Sequence, residues 1–204
     1  MFNSETVGHY TTTFKFLDGD DMKLSVLDPY VDVGINPPDA LEATHCGRPI
    51  DTTYLPTRAR PSGRRRRLAD VVGCRIGFIV SEKFREIVER FEPGVHGFHP
   101  ITMEWKSGEP ETGHYIWIIH RAIKGLHPTL IHPPYPGPMG FWDGLNPRRH
   151  PDGKAVFSAE AIGDAHAWSD PQLDYRRIVS DALSDAFIEA GLTGYTRARH
   201  IDVV

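Results

Sequence analysis

The most regular pattern of apolar and polar positions along the chain occurs twice. Residues 79–91 read IVSEKFREIVERF, and residues 178–190 read IVSDALSDAFIEA. In each copy an apolar run ends at a serine, an acidic residue follows, and apolar residues then recur three and four positions apart. This spacing places them on one face of an amphipathic helix. The pattern predicts two buried strands, each of which ends at a serine and continues as a helix.

The serine in each copy indicates where the helix starts. The hydroxyl of Ser81 or Ser180 can accept a hydrogen bond from a first-turn amide, and the acidic residue that follows lies at the positive end of the helix dipole. A serine between a strand and a helix is also typical of the nucleophile elbow of hydrolases. The glycines that flank such a nucleophile are absent from both copies, so the pattern favours helix capping.

The remaining apolar segments predict short strands. Residues 10–17 and 22–27 alternate around a turn rich in Asp and Gly, which predicts a hairpin. Residues 74–80 predict a buried strand. Residues 98–106 and 114–121 predict a second hairpin. Three further segments are predicted to be extended: 154–158, 174–180 and 195–203.

Two segments rich in proline and glycine predict irregular structure. Residues 28–63 have weak periodicity and room for one short helix near 38–43. Residues 126–153 contain seven prolines and four glycines, a density that no regular element tolerates. Together the elements predict an α+β fold with a mostly antiparallel sheet, two similar strand–Ser–helix units and long Pro/Gly-rich loops.

Length and composition predict one domain over residues 1–204, with room for a small N-terminal subdomain at 1–67. The chain has no apolar run of about 18 residues and no pattern of a secretion signal, so neither a membrane span nor export is indicated. We therefore expect a cytoplasmic protein that does not act in a membrane.

Charge is unevenly distributed along the chain. Residues 1–42 and 152–189 are acidic, whereas residues 58–67 hold six arginines and no acidic residue. Acidic segments suit a basic partner through electrostatic steering, although they also serve solubility. The arginine run could bind nucleic acid, but it lacks interleaved aromatic residues and contains Pro61 and Gly63, so we expect a solvated, mobile loop.

Few residues suggest chemistry. His96 and His99 are spaced as metal ligands would be on a helix, but Gly97 and Pro100 disfavour a helix there. No phosphate-binding glycine loop and no pair of carboxylates stands out. We expect no catalytic residues, no metal and no cofactor. Two alternatives stay open: a hydrolytic enzyme that uses His and acidic residues, and a nucleic-acid-binding module that uses the arginine run.

Four segments, taken in order, carry a resemblance to a known family. They are VVGCRIGFIVSEKFREIVERFEPGVHGFHPITM at 71–103, HYIWIIH at 114–120, DAHAWSD at 164–170 and RRIVSDALSDAFIEAGLTGYT at 176–196. Over residues 71–196, which would form the family-like core, the chain resembles immunity protein family eleven of bacterial polymorphic toxin systems, formerly a domain of unknown function.

The resemblance implies an antidote that binds a cognate toxin, often a nuclease or another cytotoxic enzyme, and inhibits it stoichiometrically without chemistry of its own. A basic, nuclease-like toxin would match the acidic segments, and no direct contact with nucleic acid is expected. Aromatic residues in polar, loop-like surroundings are candidate anchors for such a partner, and nearby carboxylates are candidate charged contacts. The alternative for the aromatic residues is that they cover the core. The predicted partner-binding residues are Asp164, Trp168, Asp170, Trp142 and Tyr135.

Overall fold

A computed structural model describes residues 10–12, 24–26, 47–61, 68–74, 77–106, 110–135, 141–195 and 199–204. Strands outnumber helices along these segments, and the strands form two sheets. None of the helices in these segments combines the length and the apolar character that a membrane span requires.

The first sheet contains five strands within the described residues. In spatial order they are β8 (Val156–Phe157), β11 (Arg199–Val203), β1 (Tyr10–Thr12), β10 (Arg176–Ser180) and β9 (Ala167–Asp170). Neighbouring strands run antiparallel, except that β8 and β11 are parallel.

The second sheet contains six strands within the described residues. In spatial order they are β2 (Leu24–Val26), β3 (Arg58–Pro61), β6 (Gly97–Glu104), β7 (Pro110–Ile118), β5 (Gly77–Ser81) and β4 (Val71–Cys74). Only the pair of β3 and β6 is parallel among these strands. The predicted α+β fold with a mostly antiparallel arrangement is confirmed.

The two repeated sequences form equivalent units, each a hairpin followed by a helix. Strands β4 and β5 lead into α1 (Glu82–Phe91), and strands β9 and β10 lead into α3 (Asp181–Glu189). A third helix, α2 (Ala159–Ile162), is short. Both predicted helices begin at the predicted serine, whose hydroxyl accepts the amide N–H three residues further on.

The two long helices pack against each other in a core that both sheets line. The Phe84 ring of α1 stacks on the Phe187 ring of α3 with centroids 4.7 Å apart. Both side chains are fully buried, and Trp117 of β7 meets Phe84 edge-on at 5.1 Å. The apolar face of each predicted helix therefore faces the other repeat, which explains why the pattern occurs twice.

Each capping serine is also held by the residue that precedes the first strand of its hairpin. The Ser81 hydroxyl donates to Asp70 Oδ1 at 2.8 Å, and the Ser81 N–H donates to the Asp70 carbonyl at 2.9 Å. The Ser180 hydroxyl lies 2.7 Å from His166 Nδ1, and the Ser180 N–H donates to the His166 carbonyl at 2.8 Å. We call these two pairs, Ser81–Asp70 and Ser180–His166, the serine clamps.

The clamps connect each unit to the end of the other unit's helix. Thr193, which follows α3, donates to Asp70 Oδ2 from its N–H at 2.8 Å and from its hydroxyl at 2.6 Å. Glu92, which ends α1, accepts the His166 N–H at 2.8 Å. The serine that starts one helix is thereby joined to the segment that ends the other.

Glu92 carries a buried negative charge where the end of α1 meets His166. Its carboxylate also accepts bonds from His96 Nε2 and Arg121 Nη1, both at 2.6 Å. Burial raises the pKa of the Glu92 carboxyl, but the bonds from His96, the His166 amide and Arg121 lower it by more, so its pKa lies below the usual value. The ionised form is therefore the one that the fold stabilises.

One predicted strand pairing is wrong. The described residues of the predicted hairpin of 10–17 with 22–27 lie in different sheets, because β1 is flanked on both sides by β10 and β11 while β2 pairs with β3. The partners of β1 are therefore strands that lie far away along the chain. The predicted strand 74–80 is confirmed over residues 77–80, which lie in β5, whereas Cys74 ends β4, the antiparallel partner of β5.

The start of the arginine run is not the mobile loop that its composition predicts. Arg58 and Arg60 lie in β3 and bind the Glu104 carboxylate, and the intervening Ala59 is fully buried. Residues 62–67 lie outside the described residues, as does the short helix predicted near 38–43. The rest of residues 28–63 that the structure describes, 47–57, contains one turn of 3-10 helix at Thr52–Tyr54.

The remaining segments largely follow their predictions. Within 126–135 and 141–153 the structure contains no helix or strand, as the proline density predicts. The extended segments predicted at 154–158, 174–180 and 195–203 contain β8, β10 and β11. Helix α2 and strand β9 were not predicted from the sequence.

We expect Ser81→Ala and Ser180→Ala each to lower the free energy of unfolding by about 1–2 kcal/mol. Each substitution removes a helix cap and leaves a partly buried clamp partner without its hydrogen bond. Ser158→Ala is the control, because Ser158 caps only the four-residue α2. Urea unfolding measures all three. Equal losses at the three positions would show that the clamps add nothing to simple capping.

Candidate partner-binding surface

The irregular segments that lie between β7 and β10 along the chain pack on one face of the first sheet through a second apolar cluster. The fully buried Trp168 and Phe157 meet edge-on in this cluster, with ring centroids 5.7 Å apart. Above the cluster lie residues 126–135, 141–150 and 171–176, which we call the loop surface. The cluster is lined mainly by these side chains: Leu126, Ile131, Trp142, Phe157, Ile162, Trp168, Leu173, Ile178 and Ile201.

Asp170, at the end of β9, ties the loop surface to the sheet. One of its carboxylate oxygens accepts the Gly125 N–H at 2.9 Å, and the other accepts the Gln172 N–H at 2.8 Å. The side chain is fully buried. Burial raises the pKa of the Asp170 carboxyl to about 6, although the two amide bonds act in the opposite direction. This carboxyl therefore titrates close to neutral pH.

Gln172 forms hydrogen bonds with both proline-rich stretches, residues 126–135 and 141–153. Its backbone carbonyl accepts the Trp142 N–H at 2.6 Å, and its side-chain carbonyl accepts the Leu126 N–H at 3.3 Å. The Trp142 indole N–H then donates to the Pro133 carbonyl at 2.6 Å. A segment without helix or strand is in this way fixed at several points by hydrogen bonds.

Gly144 leaves the space that the Trp142 ring occupies next to the backbone. A Cβ atom at Gly144 would come within 2.1 Å of that ring, and one at Gly153 would come within 1.8 Å of the Gly144 carbonyl oxygen. Both contacts are far below any real Cβ distance, so the two glycines are needed for this packing. Trp142 is 2% exposed as a result.

A pocket of about 280 Å³ opens on the loop surface. Its floor contains Trp142 and Leu173, both buried, and its upper part is polar. The lining side chains are Phe141, Trp142, Asp143, Leu145, Asn146, Arg149, Leu173, Asp174 and Arg176. This is the concave site that the described part of the loop surface offers to a ligand or to a partner's side chain.

Asp143 organises one side of the pocket. It accepts bonds from Arg149 Nη1 at 3.1 Å and from His150 Nε2 at 3.0 Å. The Arg149 bond, with that of His150, holds the pKa of the Asp143 carboxyl below its usual value. The carboxylate is thus ionised and oriented before any partner arrives.

The opposite side of the pocket has an unusual backbone. Asp174 and Tyr175 have φ values of 55° and 52°, and they are the non-glycine residues with positive φ in the described part of the chain. L-residues with side chains rarely adopt this region, which costs of order 1 kcal/mol or more each. The turn places Tyr175, which is 38% exposed, beside the pocket-lining Asp174 and Arg176.

Two of the five predicted partner-binding residues, Tyr135 and Trp142, lie in the loop surface, and Trp168 and Asp170 lie next to it in β9. Tyr135 is 39% exposed, whereas Trp142 lies beneath the surface and Trp168 and Asp170 are fully buried. Asp164 is exposed in the turn that follows α2, outside the loop surface. Direct contact with a partner is thus open to Tyr135 and Asp164, and the three buried residues position the loops.

Tyr175, Gln172 and Arg176 were not predicted as site residues from the sequence. One signal was available: Asp170 followed by Pro171 is the pattern of a helix cap with proline in the first turn. The structure contains such a turn at Pro171–Leu173, capped by Asp170. The positive φ of Tyr175 is not predicted by residue type, since glycine or asparagine would be expected there.

A hydrolytic enzyme could use a Ser–His pair, and the structure contains one, the clamp of Ser180 and His166. Ser180 is 5% exposed, and its hydroxyl already accepts the Leu183 N–H at 3.1 Å. His96, proposed with His99 as a metal ligand, binds Glu92 in the interior. Among the described residues no three potential metal-ligating side chains converge. These groups are arranged as structural supports.

Asp170→Asn is expected to remove a pH dependence of stability. The Asp170 pKa is raised in the folded state, so the native protein binds more protons than the unfolded chain between about pH 4 and 6. Stability from this group therefore falls as pH rises through that window, by about 3 kcal/mol. The variant should be less stable than the parent at pH 4, because an Asn side-chain NH₂ cannot accept one of the two amide bonds, and this deficit should shrink by pH 7.

Urea unfolding at pH 4, 5, 6 and 7 measures this difference, with the exposed Asp164→Asn as control. A parallel pH profile for Asp170→Asn and the parent protein would contradict the raised pKa.

Residues 37–197 match the model of an immunity protein family, Imm11. No curated protein matches the chain. The match includes both hairpin–helix units and the whole described loop surface, and it confirms the resemblance seen in the sequence. The chain belongs to the Imm11 immunity protein family.

Proposed function

We propose that the protein binds a cognate bacterial toxin through the loop surface and inhibits it stoichiometrically, without chemistry of its own. Membership of the immunity protein family carries this proposal. In the setting we propose, a polymorphic toxin system, the protein acts in the cytoplasm of a cell that makes or receives the toxin.

The build of the loop surface supports binding. Its irregular backbone is held by the bonds of Asp170, Gln172 and Trp142, so little ordering entropy remains to be lost on association. Tyr135 and Leu130 are exposed on it, at 39% and 48%. Exposed aromatic and aliphatic side chains on a rigid frame are typical anchors of protein interfaces.

The charge of the C-terminal region supports a basic toxin such as a nuclease. Exposed carboxylates are spread over this part of the chain, and the Asp152 side chain is 74% exposed. They would raise the rate of encounter with a basic protein and would make it depend on salt. Within residues 152–189 the exposed acidic residues are Asp152, Glu160, Asp164, Asp174, Asp185 and Glu189.

Co-expression with the toxin encoded in the neighbouring reading frame tests the proposal. We expect growth to be restored and the two proteins to co-elute as a complex of fixed stoichiometry. Cell death at the rate seen with toxin alone, together with no co-elution, would refute the proposed function. Recovery of toxin activity when the complex is dissociated separates inhibition from degradation.

Tyr135→Ala is expected to weaken toxin binding about tenfold, because an exposed tyrosine at an interface anchors its partner through its ring. Ile188→Ala is the matched control: Ile188 is 52% exposed, but it lies on α3, away from the loop surface. Calorimetric titration with the toxin measures both affinities. Equal affinities of the two variants would place the interface elsewhere on the molecule.

A further inference from the structure

We propose that the pocket of about 280 Å³ in the loop surface receives one neutral aromatic side chain of the toxin, and that Tyr175, which lies between the lining residues Asp174 and Arg176, contacts this guest as a lip at the edge of the pocket. This inference rests on the proposed function, because the toxin supplies the guest. It adds the chemistry of the contact and a residue that the sequence did not indicate.

The dimensions and the floor of the pocket fit one large side chain. Pockets for drug-sized ligands measure about 300–1,000 Å³, so a pocket of about 280 Å³ suits a group of several heavy atoms, such as one large side chain, but no folded element. Trp142 and Leu173 provide a buried apolar floor, and Phe141 and Leu145 are partly buried around it. Aromatic rings gain both from apolar burial and from edge contacts with other rings.

The charges of the lining favour a neutral guest. Two carboxylates, of Asp143 and Asp174, face two guanidinium groups, of Arg149 and Arg176, so the formal charges of the lining cancel. A charged guest would be attracted by the two lining groups of opposite charge and repelled by the two of like charge. It would also lose its hydration on entry. A phenol or an indole avoids this cost, and its O–H or N–H group has both acceptors and donors within the polar rim.

The backbone of the lip is a second, independent observation. The ends of the turn are fixed, because Leu173 is buried and Arg176 pairs with Asp170 in the sheet. The turn between them holds Tyr175 at φ 52°, where glycine or asparagine would be less strained. The constraints of the turn account for the positive φ but not for the presence of a tyrosine there, since a ring that is 38% exposed adds little to the core. Contact with a guest in the pocket would account for the tyrosine.

Filling the pocket is the first test. Leu145→Trp should weaken binding of the toxin at least a hundredfold, because the added ring occupies the space of the guest. Ile188→Trp, on the exposed face of α3, should bind like the parent protein. Loss of binding and of protection by the parent protein itself would refute the proposed function, whereas tight binding by a folded Leu145→Trp would refute only the pocket.

The chemistry of the guest is tested from the side of the toxin. Each exposed Tyr, Trp and Phe of the toxin is replaced by Ala, and each variant is titrated with the parent protein and with Leu145→Trp. One of these aromatic substitutions in the toxin should weaken binding to the parent protein. The same substitution should not weaken binding to Leu145→Trp any further, because the contact is already lost in that variant. The inference fails if that coupling is found for a Lys, Arg, Asp or Glu of the toxin instead.

Tyr175→Gly tests the lip and does not depend on how Leu145→Trp folds. We expect its thermal unfolding midpoint to rise by about 1–3 °C, because glycine removes the strain at positive φ. We expect its affinity for the toxin to fall about tenfold. Opposite changes in stability and affinity distinguish a binding residue from a structural one. An unchanged affinity, or a lower unfolding midpoint, would overturn the role of Tyr175.

Discussion

The two serine clamps are the contacts on which the rest of the structure depends. Each clamp fixes the start of a helix, the entry to a hairpin and, through Asp70 or Glu92, a segment beyond the end of the other helix. Single hydrogen bonds contribute only about 1 kcal/mol each, but opening one clamp leaves several partly buried polar groups without partners at once. The two helix starts are therefore stabilised together, with the stacked Phe84 and Phe187 rings between them.

The loop surface is held in place through one of these clamps, Ser180–His166. Strand β9 begins after His166 and ends at Asp170, whose carboxylate holds Gly125 and Gln172. Gln172 in turn holds Trp142, and Trp142 holds Pro133. The core is thus connected to an otherwise irregular segment through the hydrogen bonds of Asp170, Gln172 and Trp142. A surface built in this way loses little entropy when it binds, which favours tight association by an inhibitor.

The sequence predicts what depends on neighbouring residues and misses what depends on distant ones. Ser81 and Ser180 mark their helices because capping involves the next three residues only. The pairing of Tyr10–Thr12 is not local, since its partners in β10 and β11 lie more than 160 residues away. The same limit applies to charge: the arginines of β3 are paired by Glu104, a residue far along the chain.

The same distinction between features set by neighbouring residues and features set by distant ones applies to the candidate site. Tyr135 and Trp142 were predicted from the aromatic content of a proline-rich segment, and that segment is irregular as expected. The sequence alone does not reveal that Trp168 and Asp170 are buried, because the polar neighbours in DAHAWSD suggest a surface loop. In the structure β9 lies within a sheet, pairs along its other edge with residues 121–123, and contributes Trp168 to the second apolar cluster. Nor does it reveal the backbone of Tyr175, since a positive φ arises from the constraints at both ends of a turn.

The supports of the loop surface have a consequence for how its specificity can change. Gly125, Pro133 and Trp142 are held there through backbone N–H and carbonyl groups, and Gln172 also contributes its own carbonyl to Trp142. Backbone groups are the same whichever side chain a residue carries. Outward-facing side chains such as Leu130 and Tyr135 can therefore be exchanged while the frame beneath them persists. A chain of this design can acquire a new partner by altering a few surface positions and keep its fold.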